Sequence, residues 1–263
     1  MRRPPVIPVG AGLARMLVER NLISFRRQWV TFLTGFLEPV FYLFSLGIGL
    51  GALVGTVSVG GGRQVPYAAF VAPAMLAASA MNAGVMDSTY NVFFKLKYAK
   101  LYDSVLATRM GPRDIAVGEV SWSLLRGGTY SLAFLVVAWV AGFVPSAWGL
   151  LALPAAIFVA WAFSAIGMFA TTFMRSWLDF DYLSLVITPM FLLSATFFPL
   201  TAYPSWVQPL VEATPLYHGV ALCRALTLGE LSLDLLWHVA YLAVLGAIGV
   251  IGSARRFAGL LLR

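Results

Sequence analysis

Charge is scarce in this sequence. Only 11% of its 263 residues are charged and 60% are hydrophobic, against about 25% charged and 45–50% apolar in soluble domains. An ordinary soluble fold and a disordered chain are therefore excluded. The single cysteine, Cys223, excludes an intrachain disulfide, a thiolate metal cluster and a redox pair. The two histidines, His218 and His238, form no His/Cys ligand cluster and no H-E-x-x-H pattern, so no metal centre is expected. No G-x-x-x-x-G-K-[ST] run is present, and Gly60-Gly61-Gly62 lacks the Lys-Ser/Thr that would follow it, which leaves nothing to cradle ATP phosphates. A G-x-S-x-G elbow is absent too, so a hydrolase site is not expected. No polar block separates the apolar runs, and the economical reading is one membrane domain.

What is present is a series of apolar runs. A spanning helix needs about 20 mostly apolar residues, and the candidates are Trp29–Leu53, Tyr67–Val92, Ile115–Val140, Trp148–Phe173, the shorter Tyr182–Thr196, and Leu235–Gly252. Ahead of them, between Gly10 and Gln28, Leu13, Met16, Leu17, Ile23 and Phe25 alternate with Arg15, Glu19, Arg20, Arg26 and Arg27. That pattern suits a basic amphipathic helix lying in the interface. Between spans five and six, Leu200–Gly229 is broken by Pro204, Pro209 and Pro215. It is too polar for a plain span and too apolar for an exposed loop, so it reads as two short helices that dip into the outer leaflet and return.

The basic residues orient the chain. With the amino terminus inside, the inner segments hold Arg2, Arg3, Arg15, Arg20, Arg26 and Arg27, then Lys95, Lys97, Lys100, Arg109 and Arg113, then Arg175, and finally Arg255, Arg256 and Arg263. Arg63 and Arg224 fall outside and Arg126 within a span. The positive-inside rule is satisfied, and the excess of seven positive charges needs no nucleic-acid partner. No cleavable signal is evident, because Arg15, Glu19 and Arg20 interrupt any apolar core. Both termini are expected in the cytoplasm, at the plasma (inner) membrane.

Ionisable groups inside spans are functional candidates by default: Glu38, Asp87, Glu119 and Arg126. Glu38 precedes Pro39, a kink site, where it either satisfies donors at the bend or lines a substrate path. Glu119 and Arg126 lie two turns apart on one face of span three, so they can meet each other or a neighbouring helix, and they are read as a structural intramembrane pair. Asp87 sits near the inner end of span two. Asp179 and Asp181 suit a helix amino terminus. Between spans two and three, Leu101, Val105 and Leu106 share a helical face beside Tyr98 and Tyr102, and the helix ends before Gly111-Pro112. A short amphipathic helix there can be gripped by another protein.

The run Lys95–Gly127, ending Gly118-Glu119-Val120-Ser121-Trp122-Ser123-Leu124-Leu125-Arg126-Gly127, together with Phe197-Phe198-Pro199-Leu200 and Thr214-Pro215-Leu216-Tyr217-His218-Gly219, resembles the permease subunits of type-2 ABC exporters. Within these it is most similar to nodulation-factor (lipo-oligosaccharide) and daunorubicin-type drug exporter permeases. The likeness covers nearly the whole chain, including Phe36-Leu37-Glu38-Pro39.

The resemblance implies an all-α integral membrane protein. Residues 1–28 would form a cytoplasmic start with an interface helix. Residues 29–263 would form a six-helix transmembrane domain, with a coupling helix at about 97–108 and a re-entrant hairpin at about 199–229. It also implies a dimer with an identical or related chain, and a separate ABC ATPase that holds ATP and Mg; this chain would carry no cofactor and no catalytic residue. Lys100, Leu101, Tyr102, Asp103, Val105 and Leu106 would contact the ATPase. Arg109 follows Thr108 where the family usually continues with proline. An amphipathic drug, lipid or glycolipid would move outward past Glu38, Phe41, Tyr42, Phe44, Phe191, Phe197 and Phe198. The main alternative is a proton- or ion-coupled secondary transporter using Glu38, Asp87 or Glu119; a lipid-modifying membrane enzyme would need a histidine beside Asp179 and Asp181.

Overall fold

The computed structural model describes residues 13–25, 37 and 39–261. Among these, four helices are long and apolar enough to cross a membrane: Tyr67–Lys97 (α3), Pro112–Val140 (α5), Ala147–Thr171 (α6) and Leu235–Leu260 (within α10, Leu235–Leu261). The start of the first expected span, with Glu38, lies outside the described residues; what is described is Pro39–Val54 (α2). The fifth expected span, Tyr182–Thr196, is a 14-residue helix, Asp179–Leu192 (α7). It begins three residues early, at Asp179, whose carboxylate reaches back to accept the amides of Arg175 and Ser176 at 2.6 and 3.1 Å. It ends at Leu192, short of Thr196, a few residues after Pro189.

The interface helix is Ala14–Phe25 (α1). Ala14, Leu17 and Asn21 are buried, on one helical stripe turned to α5. Gly118 of α5 lets Leu17 in: a Cβ there would lie 2.9 Å from Leu17 Cδ2. Met16, Leu22 and Ile23 stay exposed on α1.

Around Gly60–Gly62 a hairpin forms. Thr56–Ser58 (β1) pairs antiparallel with Gln64–Pro66 (β2), with Thr56 opposite Pro66. Arg63 fastens it by donating to the Leu228 carbonyl at 2.8 Å and pairing with Glu230 at 3.3 Å.

α3 is apolar all round and rich in alanine, and it is buried along nearly its whole apolar length, as such a helix must be. α6 lies beside it and also packs on α5 and α10. Small residues set these distances: a Cβ on Gly84 would sit 2.6 Å from the Ala160 carbonyl oxygen, and one on Gly249 would sit 2.3 Å from the Ala165 carbonyl carbon. In lipid this close backbone approach is the main source of helix association. Between α7 and α10 come Gln208–Glu212 (α8) and Pro215–Leu228 (α9). α9 packs against α3, α6 and α10.

The connection from α3 to α5 differs from the expected continuous helix at 97–108. α3 ends at Lys97, Lys100 takes a left-handed conformation (φ 46°), and a separate helix, Leu101–Leu106 (α4), follows. A left-handed residue cannot continue a right-handed helix, so the chain folds back there. This turn carries Tyr102 into the interior, at 1% exposure.

Candidate transport site and coupling surface

Glu119 and Arg126 do not pair with each other. Seven residues apart, they are separated by about 10 Å along α5, and each reaches a partner on α3. Lys95 Nζ donates to both Glu119 carboxylate oxygens at 2.8 Å, and Arg126 binds Asp87. Asp87 and Lys95 are eight apart on one helix and Arg126 and Glu119 seven apart on the other, so antiparallel packing aligns two ion pairs as rungs. Of the two arrangements expected above, it is the neighbouring helix that each residue meets.

The Glu119 rung gathers four elements. Asn21 of α1 donates to Glu119 at 3.2 Å and accepts from Lys95 at 3.1 Å. Tyr102 of α4 donates its hydroxyl to Glu119 at 3.1 Å. Burial, then the Glu119 charge beside it, push the Tyr102 phenol well above its usual range, so it remains a donor. Lys95 and Glu119 are buried, and such a pair is kept charged only by a complete set of partners; here each group has them. At the other rung, Arg126 also donates to the Tyr130 hydroxyl at 3.0 Å and lies over the Phe25 ring at 4.9 Å.

α4 therefore has one held face and one free face. Tyr102 packs edge-on to Phe257 of α10 at 6.0 Å, and Leu101, Val105 and Leu106 are partly buried beside it. Lys100, Asp103 and Ser104 are exposed. A force applied to the exposed face would reach α1, α3 and α5 through the Tyr102 hydroxyl.

The expected path residues divide. Tyr42 and Phe191 line one cavity of about 240 Å³ with Pro39, Ser79, Asn82 and Thr188, between α2, α3 and α7. Phe197 meets Phe191 edge-on at 5.3 Å, and its carbonyl accepts from Tyr67 at 3.2 Å. Phe41 and Phe198 are exposed and do not line this cavity. Glu38 lies outside the described residues. The cavity mixes hydroxyl and amide groups with apolar wall, which suits an amphiphile.

Three residues the sequence reading set aside have partners at the end of the molecule opposite α4. Arg224 lies over the Phe70 ring at 3.8 Å and donates to the Phe70 and Ala195 carbonyls at 3.3 and 2.9 Å, tying α9 to α3 and to the chain after α7. His218 and His238, remote in sequence, meet with Nδ1 atoms 2.7 Å apart, linking α9 to α10.

Comparison with known proteins gives this arrangement a family. The ABC-2 type transporter model matches residues 13–228. Nodulation protein J of Rhizobium leguminosarum bv. trifolii is 35% identical over 228 residues, 86% of this chain and 85% of the relative. Its counterpart from R. leguminosarum bv. viciae is 33% identical over 241 residues, 90% of this chain and 91% of the relative. Nodulation protein J of Bradyrhizobium diazoefficiens is 29% identical over 260 residues, 98% and 97% of the two chains. With several apolar helices long enough to cross a bilayer and a family match over most of its length, this chain is a multi-pass membrane protein of the ABC-2 type transporter family.

Proposed function

We propose that the chain is the permease subunit of an ATP-driven exporter. It moves an amphipathic substrate, a drug, lipid or glycolipid, from the inner leaflet or cytoplasm outward. In this reading α2 and α7 complete six spans in the inner membrane, both termini and α4 face the cytoplasm, and α8 with α9 form a re-entrant hairpin at the outer face. Two permease chains assemble with ABC ATPase subunits, which bind ATP and Mg. The exposed side of α4, with Lys100 and Asp103, meets the ATPase. Substrate passes the cavity bounded by Tyr42 and Phe191, with Glu38, Phe41, Phe197 and Phe198 along the same route.

The observation that carries this reading is the Tyr102–Glu119–Lys95–Asn21 junction. It fastens a half-exposed helix to three other helices through a buried charge cluster, as a lever that receives force from a partner requires.

Native mass spectrometry of the complex, gently extracted from its own cells, tests the proposal. Two permease chains with two ATPase chains are expected. A permease recovered without any nucleotide-binding subunit, with substrate flux that collapses when the ion gradient is abolished and ATP remains, would overturn it.

A further inference from the structure

A second cavity, of about 640 Å³, lies on the face of α7 next to the proposed route, between α6, α7 and α10, with Ile187 bordering both. Its walls include Phe163, Ile166, Ala170, Val186, Met190 and Leu245. Along α7 it runs from Asp179 to Met190, about 16 Å at the helical rise. One leaflet of a bilayer core is about 15 Å thick. The cleft is thus as long as the hydrocarbon of one leaflet, and Pro215, where α9 begins, borders it.

Two arginines stand at its mouth, beside the Asp179 carboxylate. Arg175 borders the cleft, and Arg256 lies over the ring of Phe173, another wall residue, at 4.2 Å while donating to the Thr172 carbonyl at 3.4 Å. Neither guanidinium has a carboxylate within ion-pair distance among the described residues. Asp179, which shares the mouth, already accepts two backbone amides. Two guanidinium groups above a leaflet-deep apolar slot match one chemistry: an anionic head with a long acyl chain. The cavity beside Tyr42 offers hydroxyl and amide groups along its wall; this one is apolar below its mouth.

We infer that the α6–α7–α10 cleft is a binding site for an anionic glycerophospholipid of the cytoplasmic leaflet, its phosphate between Arg175 and Arg256 and one acyl chain in the slot. The leaflet assignment rests on the orientation proposed above; the site itself does not depend on ATP-driven transport.

The test uses the full chain with its copurifying subunits, in nanodiscs of phosphatidylcholine with a minor share of phosphatidylglycerol. Native mass spectrometry after release reads the retained lipid. Wild type is expected to keep one phosphatidylglycerol per chain in preference to phosphatidylcholine. Arg175→Gln with Arg256→Gln should lower that retention by roughly tenfold or more, since each basic group contributes to the attraction. Ala170→Trp should lower it with both charges in place, by filling the slot. A phosphatidylglycerol with a photoreactive acyl chain, applied to wild type, should label α6, α7 and α10; this readout needs no variant to fold. Equal retention of both lipids, undiminished retention in the variants, labelling elsewhere, or displacement of the lipid by a transported amphiphile or a second permease copy would each overturn the inference.

Discussion

Replacing Lys95 by Met leaves the Glu119 carboxylate at 3% exposure without its cation. The neutral donors Tyr102 and Asn21 remain, at 3.1 and 3.2 Å, and they offset only part of the loss. Removing one partner of a buried pair costs about 3–5 kcal/mol, whereas replacing both by apolar groups of similar volume is often neutral or stabilising. Lys95→Met should therefore destabilise by about 3 kcal/mol or more, and Lys95→Met with Glu119→Leu should recover most of it. Tyr102 and Asn21 lose a partner in the double variant, so recovery falls short by about 1–2 kcal/mol. The assay is reversible denaturation of purified protein in mild detergent, followed by helical circular dichroism. If the double variant is as unstable as the two single losses added together, the residues do not act as a pair. If Lys95→Met lies within about 0.5 kcal/mol of wild type, the site is hydrated and the argument from burial is wrong.

A double-mutant cycle should give a large coupling for Asp87 with Arg126 and, for Glu119 with Arg126, less than about 0.5 kcal/mol, measured by the same unfolding assay. Asp103→Lys, on the exposed side of α4, should abolish substrate export and substrate-stimulated ATP hydrolysis while leaving the denaturation midpoint within error; normal transport would count heavily against α4 as the coupling surface. Tyr102→Phe should leave α4 folded, since the ring still packs on Phe257, and should lower transport more than stability, read as export rate against denaturation midpoint. Gly249→Leu should cost about 1–3 kcal/mol by overpacking, because even a Cβ would meet the Ala165 backbone; thermal unfolding reads this directly.

Much of the fold is legible because a bilayer leaves few options. Apolar runs of span length gave the positions of α3, α5, α6 and α10 to within a few residues at most ends, α3 and α10 running further at their carboxyl ends, and Gly111-Pro112 marked the start of α5, where the Asp114 carboxylate accepts the Gly111 amide at 2.9 Å. The segment around Leu101 was recognisable as a short helix from its apolar spacing. Its true start was hidden, because Lys100 is a non-glycine residue in a left-handed turn and nothing in its side chain announces that. The hairpin at Thr56–Pro66 was hidden for a similar reason: strands of three residues are too short for alternation to register, and it is Arg63, reaching Leu228 and Glu230, that holds them.

The pairing of charges is instructive. Glu119 and Arg126 could meet each other or a neighbouring helix, and because two turns separate them each side chain extends sideways to α3 rather than along its own axis. The signal was available in the numbers: a carboxylate followed eight residues on by a cation in one span, and a carboxylate followed seven residues on by a cation in the next. Two consecutive spans joined by a short connection run antiparallel, and in that arrangement the two pairs come into register together. Lys95 counts among the basic residues of the inner segment, yet it is buried. What buries it is α1, whose Asn21 completes the hydrogen bonding, so its environment depends on an amphipathic helix far away in the sequence. Under the proposed coupling, stability and force transmission share one set of side chains, and a substitution that spares the first while impairing the second, as Tyr102→Phe is expected to do, separates the two roles.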